Sequence, residues 1–203
     1  MRRLRDELRP DQYQVVRDNR TWVDHILRTY ATAAMVAWFE PKSVADPACG
    51  DASIVRYADT IRQIDSIHLA DISEPQMQNI KFGVWAMSRI PETRLYTGRW
   101  QETLSQMPHV DLMVLTEILE HLEDPEELLR AAREKAHHVV VSSPIDESYP
   151  GGNHEHVWSF SRDSYKELLI RSKWTPYVYQ ELVFTDERYP YNFQVWGCNA
   201  ALP

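Results

Sequence analysis

Two rhythms of apolar residues alternate along this chain. From about residue 12 to residue 40, Val15, Val16, Trp22, Ile26, Tyr30, Ala34 and Trp38 recur near helical spacing until Pro41 stops the run. Ser43 to Asp46 then reads as a short strand, Asp51 to Arg62 as a helix, and Ser66 to Asp71 as a second strand. Glu74 to Ile90 places Met77, Ile80, Val84, Met87 and Ile90 on one side of a helix that Pro91 closes, and Arg94 to Thr97 is the third strand. Asp111 to Thr116 is an almost continuous apolar run of the kind found in parallel sheets covered on both faces. A helix follows, with Asp124 at its cap, Pro125 in its first position, and Glu126 and Glu127 favoured by the dipole. His138 to Ser143 is the fifth strand, ended by Pro144; Arg162 to Ser172 is a further helix. Tyr177 to Phe184 and Asn192 to Leu202 read as two longer β segments.

Strand and helix alternate five times before two strands come together. This order predicts an α/β fold, a Rossmann-like, doubly wound and mostly parallel sheet of seven strands with a C-terminal antiparallel hairpin. With 203 residues, no repeat and no linker-like stretch, residues 1–203 are expected to form a single domain, a helical segment over 1–40 and a core over 41–203. In such folds ligands lie at the carboxyl ends of the strands.

Composition narrows the class further. Hydrophobic residues make up 43% of the chain, which excludes wholesale disorder, and no apolar run approaches a membrane span. The Arg-rich start is interrupted by Asp6 and Glu7 and has no apolar region after it, so no secretory leader is expected, and the expected location is the cytoplasm. Two cysteines, Cys49 and Cys198, provide neither a disulfide framework nor a cysteine zinc site. The formal charge of −8 is local in origin. Seven acids and no Lys or Arg lie between Asp111 and Glu127, and without them 23 acids face 22 bases. The charge therefore says little about nucleic acid and points to where a cation could be accommodated.

Asp46 to Ser53, DPACGDAS, puts small residues where the backbone must turn sharply from the first strand into a helix. Ala48 and Ala52 occupy two positions at which a strict phosphate fingerprint has glycine, which weakens a pyrophosphate reading. Asp71 ends the second strand 21 residues after Gly50, where a carboxylate can accept hydrogen bonds from the ribose hydroxyls of a nucleoside. VADPACGDA (44–52), ADIS (70–73) and VDLMVLTEILEHLEDP (110–125) together resemble successive motifs of class I S-adenosylmethionine-dependent methyltransferases. The resemblance implies that Asp46 and the turn of Ala48, Cys49 and Gly50 contact the methionine part of the cofactor, with Thr116 at the end of the fourth strand beside it. By the same resemblance Asp71 holds the ribose, Ile72 flanks the adenine, and Trp100 or Gln101 borders it from the other side. Cys49 is expected to pack rather than to act as a nucleophile.

Glu117, Glu120 and His121 follow the fourth strand at spacings that share one face if the segment is helical. NHEHVWSFSRDSY (153–165) comes after the fifth strand, on the same edge of the sheet. Two carboxylates and two imidazoles from these loops suit a divalent ion such as magnesium, manganese or zinc. The pair of segments is similar to the metal-dependent methyltransferases of the terminal ribose 2′-hydroxyl of small RNAs, which implies Glu117, Glu120, His121 and either His154 or His156 as ligands, with Ser161 and Arg162 following. The other reading has Glu120 and His121 bonded to backbone near the cofactor. The Pro-Pro-aromatic clamp of DNA base amino-methylation is absent, Ser142 to Ile145 standing in its place.

The expected reaction is in-line transfer of a sulfonium methyl group to an oxygen or nitrogen, with a small-molecule acceptor expected and RNA as the alternative. Glu117, His121, His154 and His156 are the candidates for the acid and base roles, since imidazole titrates near working pH. Tyr149, Trp158 and Phe160 are offered either as walls of the acceptor pocket or as core. Two rival classes share the early strands: a nicotinamide-dependent oxidoreductase, which wants a fuller glycine fingerprint, and a cofactor-binding module with no catalysis.

Overall fold

The structure is a computed structural model that describes residues 1–4, 22–82, 92–147, 155–186, 189 and 191–200. In chain order the elements are β1 (Arg2–Arg3), α1 (Val23–Trp38), β2 (Ser43–Asp46), α2 (Ser53–Ile61), β3 (Ser66–Asp71), α3 (Glu74–Phe82), β4 (Glu92–Thr97) and α4 (Trp100–Gln106). There follow β5 (Val110–Thr116), a 3-10 turn (Leu119–His121), α5 (Pro125–Arg133), β6 (Ala136–Ile145), β7 (Trp158–Ser159), α6 (Arg162–Arg171), β8 (Trp174–Leu182) and β9 (Asn192–Ala200). Seven strands form one sheet in the order β4-β3-β2-β5-β6-β9-β8, parallel except for β9, which runs antiparallel to both neighbours.

Period-two alternation on the central strands divides the core between the two faces. Leu112 and Val114 of β5, Val140 of β6 and Val195 of β9 pack with Val36 of α1, Val55 and Ala58 of α2 and Met77 of α3. Met113, Leu115, Val139, Val141 and Trp196 point the other way, to Leu104 of α4, Leu128 and Leu129 of α5 and Leu168 and Leu169 of α6. Strands buried on both faces carry no polar stripe, which is why β5 reads as an unbroken apolar run. Asp124 caps α5 as its sequence implies, accepting from the N–H groups of Glu126 and Glu127 at 3.0 and 3.2 Å.

Several boundaries differ from the sequence expectation. Helix α1 begins at Val23; the start expected at residue 12, like the stretch from Gly83 to Ile90 expected to extend α3, lies outside the described residues. Strand β6 continues through Pro144 to Ile145. The residues of β6 alternate in direction, and Ser142 presents its carbonyl toward β5 by accepting from the Glu117 N–H. Pro144 faces that same side, where β5 has already ended at Thr116, so its missing N–H leaves no ladder bond unmade. Helix α4, seven residues long, has too few apolar positions to announce itself. Strand β1 was not expected either. It pairs with β7, and the Leu4 N–H donates to the Val157 carbonyl at 2.6 Å, so the Arg-rich start buttresses the loop that carries His156.

No described helix is long and apolar enough to cross a membrane. Successive strands leave β2 toward β3 and β4 on one side, and the later ones leave β5 toward β6 on the other. The order therefore reverses between β2 and β5, and a crevice opens at their carboxyl ends.

Candidate active site

A cavity of about 470 Å³ occupies that crevice. One half is built on β2, β3 and β4. Asp71 closes β3 and orders two loops through its carboxylate, accepting from the Gly50 N–H at 3.0 Å through Oδ2 and from the Ser73 N–H at 2.8 Å through Oδ1. The loop after β2 makes a left-handed turn at Gly50, φ 52°, a backbone that favours glycine although an added Cβ would meet only open space. Ala52 also adopts a left-handed conformation, φ 56°, and leads into α2. A glycine of the phosphate fingerprint is suited to that backbone; Ala52 bears about 1–2 kcal/mol of local strain instead, of the sort stored at ligand-binding turns.

Of the residues assigned to the cofactor from sequence, Ala48, Cys49, Gly50, Asp71, Ile72, Trp100, Gln101 and Thr116 line this cavity. Trp100 and Gln101 open α4 next to Gly98, whose N–H donates to the Asp71 carbonyl at 3.1 Å. Asp46 does not reach the cavity surface. It is 1% exposed, accepts from the Ala48 N–H at 3.2 Å, and burial raises its pKa to about 8. Burial likewise raises the Cys49 thiol, whose sulfur lies 3.9 Å from that of Met77, in keeping with a packing residue.

The other half is built on β5, β6, β9 and α1, and here the expectation is partly corrected. Glu117, Glu120 and His121 share one face only if the segment is helical, and it is not: the chain turns at Glu117 with φ 53° and becomes a 3-10 turn at Leu119. Glu117 stays near Glu120 but turns its carboxylate to other partners: its Oε1 accepts from Ser142 Oγ at 2.9 Å and lies 3.8 Å from Arg28 Nη1. The groups that do converge are Glu120, His121 and His156, with one ligand atom from each within 4.8 Å of the others. His154 and Tyr149 lie outside the described residues.

Each histidine of this group is oriented through Nδ1. His121 meets the Glu155 carbonyl at 2.9 Å and His156 meets Glu147 Oε2 at 2.5 Å, and the two rings stand edge to face 4.7 Å apart. A carbonyl or carboxylate at Nδ1 favours the tautomer whose proton sits there, and in a neutral ring Nε2 is then the basic nitrogen, the arrangement typical of metal-bound or basic imidazoles. Glu120 is 1% exposed, and neither carboxylate oxygen has a hydrogen-bond partner. Its pKa is raised, first by burial and then by the nearby Glu117. A buried carboxylate without donors is costly unless something supplies them, and a divalent cation fits that need with a donor set of one oxygen and two nitrogens.

Trp158 and Phe160 do not wall the cavity. The Trp158 indole donates to the Leu122 carbonyl at 2.8 Å, and Phe160, 1% exposed, packs edge-on against Tyr165 in the core. Ser161 and Arg162 serve the fold instead, Ser161 as one half of a capping box with Ser164 and Arg162 over the Tyr179 ring. The cavity wall on this side is made by Phe193, Tyr191 and Pro144, and by His25 and Arg28 of α1, which sequence reasoning did not single out. No sequence signal marked Arg28: it lies opposite the face on which Trp22, Ile26, Tyr30, Ala34 and Trp38 recur, and the structure leaves Trp22, Tyr30, Ala34 and Trp38 exposed while burying Arg28, Thr32, Met35 and Val36.

No protein-family model matches the chain, and no curated protein matches it in sequence. Solved structures do match. The methyltransferase domain of bacterial CtHen1 superposes with a TM-score of 0.63 at 16% identity, covering 87% of this chain and 99% of that one. Magnesium protoporphyrin IX methyltransferase (ChlM) from Synechocystis PCC 6803, with bound S-adenosylhomocysteine, gives 0.67 at 12% identity over 87% and 85% of the two chains. The N-terminal domain of EvdMO1, with S-adenosylhomocysteine bound, gives 0.61 at 12% identity over 89% and 85%. The fold is that of the class I S-adenosylmethionine-dependent methyltransferases. At these identities the likeness is one of architecture.

Proposed function

We propose that this chain is a methyltransferase that binds S-adenosylmethionine between β2, β3 and α4 and transfers its methyl group to an oxygen or nitrogen of an acceptor bound between β5, β9 and α1. The observation that carries this reading is the Asp71 carboxylate, held at the end of β3 against the Gly50 N–H on the floor of the cavity. Each of its oxygens accepts one backbone N–H, and a carboxylate at the end of this strand is the group suited to accept from ribose hydroxyls. Ile72 and Trp100 line the same cavity and suit contact with an adenine ring, and neighbours of the same fold carry S-adenosylmethionine or its product. Asp46 lies behind the Ala48 turn and holds it through the Ala48 N–H, on the side of the pocket where the cofactor's ammonium group would sit.

An acceptor lone pair forms the new bond to the methyl carbon as the carbon–sulfur bond breaks, and S-adenosylhomocysteine leaves. The sulfonium is already activated, so the protein's part is alignment and, for a hydroxyl acceptor, removal of its proton. Nε2 of His121 or His156 is suited to take it. In this reading residues 41–203 form the catalytic core, and α1, from the segment of residues 1–40, borders the acceptor side. The acceptor is a small molecule.

A second reading is favoured by the Glu120, His121 and His156 cluster: a divalent cation bound there would hold the acceptor oxygen and lower its pKa, as in methylation of a terminal RNA ribose. Calorimetry with S-adenosylmethionine, S-adenosylhomocysteine and NAD tests the cofactor; binding of NAD alone would overturn the proposal. Activity on a hydroxyl acceptor that is indifferent to chelation would remove the second reading.

A further inference from the structure

Arg28 presents a problem that neither the cofactor nor the candidate metal cluster explains. It lies on α1, is 2% exposed, and lines the cavity on the β5 and β9 side, away from Asp71. Its Nε is buried and makes no hydrogen bond. Among the described residues the only carboxylate in ion-pair reach is Glu117, and there Nη1 stands 3.8 Å from Oε1, beyond hydrogen-bond distance. Glu117 is itself fixed by Ser142 Oγ at 2.9 Å. The guanidinium lies over the Phe193 ring, 5.5 Å from its centroid, a favourable contact that leaves its donors unused.

Removing an Arg from water is expensive unless its five donors are met, and a guanidinium cannot shed its charge to relieve the cost. Glu117, and Glu120 at longer range, offset part of that cost, and Glu117 orients the group, but neither is within hydrogen-bond distance. Arg28 lines the cavity, and the ligand that matches an unmet guanidinium is a planar or tetrahedral oxyanion. Arg28 and Arg99 are the only Arg or Lys side chains among the described residues that line the cavity, and Arg99 belongs to the opposite half, next to Trp100.

We infer that Arg28 is the specificity-determining anion site of the acceptor, and that the acceptor is a small molecule bearing a carboxylate or phosphate near the group that receives the methyl. This rests on the methyl-transfer reading for the identity of the ligand as an acceptor, whereas the anion site itself stands on the geometry of Arg28. Phe193 and Tyr191 provide apolar contact for the body of such a molecule. Glu117 is a positioning residue, holding the guanidinium to one side.

The test is a titration of the full chain, with and without saturating S-adenosylhomocysteine, using 3-hydroxybenzoate, phenyl phosphate, the neutral 3-hydroxybenzamide and a short single-stranded oligoribonucleotide. The readouts are the 15N resonance of Arg28 Nε, assigned with Arg28→Lys, and calorimetric affinity. The benzoate or the phosphate is expected to move the resonance and to bind about tenfold or more tightly than the amide. Arg28→Gln is expected to abolish that preference, and the stronger of the two acids identifies which anion the site prefers. Equal affinity for acid and amide, or a resonance unmoved by either acid, overturns the inference, as does a response to the oligoribonucleotide alone. Should Arg28→Gln fail to fold, the wild-type resonance and the acid-to-amide ratio still decide. Failure of S-adenosylhomocysteine to bind would refute the methyl-transfer reading instead, since the anion titration without it is scored independently.

Discussion

The Gly50 N–H donates to Asp71 Oδ2 at 3.0 Å, so the turn after β2 and the end of β3 are held by one carboxylate. That carboxylate both shapes the loop and lines the cavity. Asp71→Ala should lower affinity for S-adenosylhomocysteine by about a hundredfold, the loss of two charge-assisted hydrogen bonds at roughly 1.5 kcal/mol each. Asp71→Asn, which keeps one acceptor oxygen, should fall between the two. Calorimetry measures both, and wild-type affinity in Asp71→Ala would remove the ribose role.

Asp46 gives a pH dependence with a defined sign. Burial holds its pKa at about 8, whereas an unfolded Asp titrates near 3.8. Between those values the folded chain keeps a proton that the unfolded chain has released. Its contribution to stability is therefore fully present at the acid end and is lost as the pH rises through about 8. The slope is roughly 1.4 kcal/mol per pH unit inside that window. Asp46→Asn should flatten that part of the profile in urea unfolding across the window. If the cofactor's ammonium lies against Asp46, wild-type binding should also release a proton, seen as a buffer-dependent heat that the Asn variant lacks. Parallel stability profiles for the two proteins would show that Asp46 ionises normally.

Much of this was legible in the sequence because it is carried by periodicity and strand order. The unbroken apolar run of β5, the Asp124 cap and the small-residue turn at Ala48 to Ala52 each report a backbone requirement through local residues alone. The acceptor half was less legible. Spacing put Glu117 with Glu120 and His121 only on the assumption of a regular helix, and the left-handed backbone at Glu117 breaks that face. Arg28 and Phe193 meet across 165 residues of chain, a tertiary juxtaposition with no local signature. The β1 and β7 pairing is equally nonlocal, joining Arg3 to Trp158.

Ser161 separates a structural from a chemical role. It follows the histidine segment closely, yet its hydroxyl accepts from the Ser164 N–H at 3.2 Å and caps α6. Ser161→Ala should cost about 1 kcal/mol of stability, measured by chemical unfolding, while leaving cofactor affinity and any manganese response unchanged. A loss of either ligand response at unchanged stability would move Ser161 into the site.

Glu120 makes the metal question decidable without an acceptor. Its two oxygens are buried without hydrogen-bond partners, beside imidazoles whose Nδ1 positions are already anchored. A cation binding there would add stability by mass action, about 2.7 kcal/mol at a concentration a hundredfold above its dissociation constant. Manganese should therefore raise the melting temperature of the wild-type chain, and a chelator should reverse the rise. Glu120→Gln removes the charge at nearly constant volume. It should melt no lower than wild type in chelator, because a buried uncompensated carboxylate contributes little to the empty fold, and it should lose most of the manganese response. His156→Gln should lose the response too, through a different donor. A wild-type melting temperature indifferent to manganese, magnesium and zinc would leave Glu120 and His121 as backbone-proximal residues of the cleft, and His121 or His156 would then act on the acceptor proton unaided.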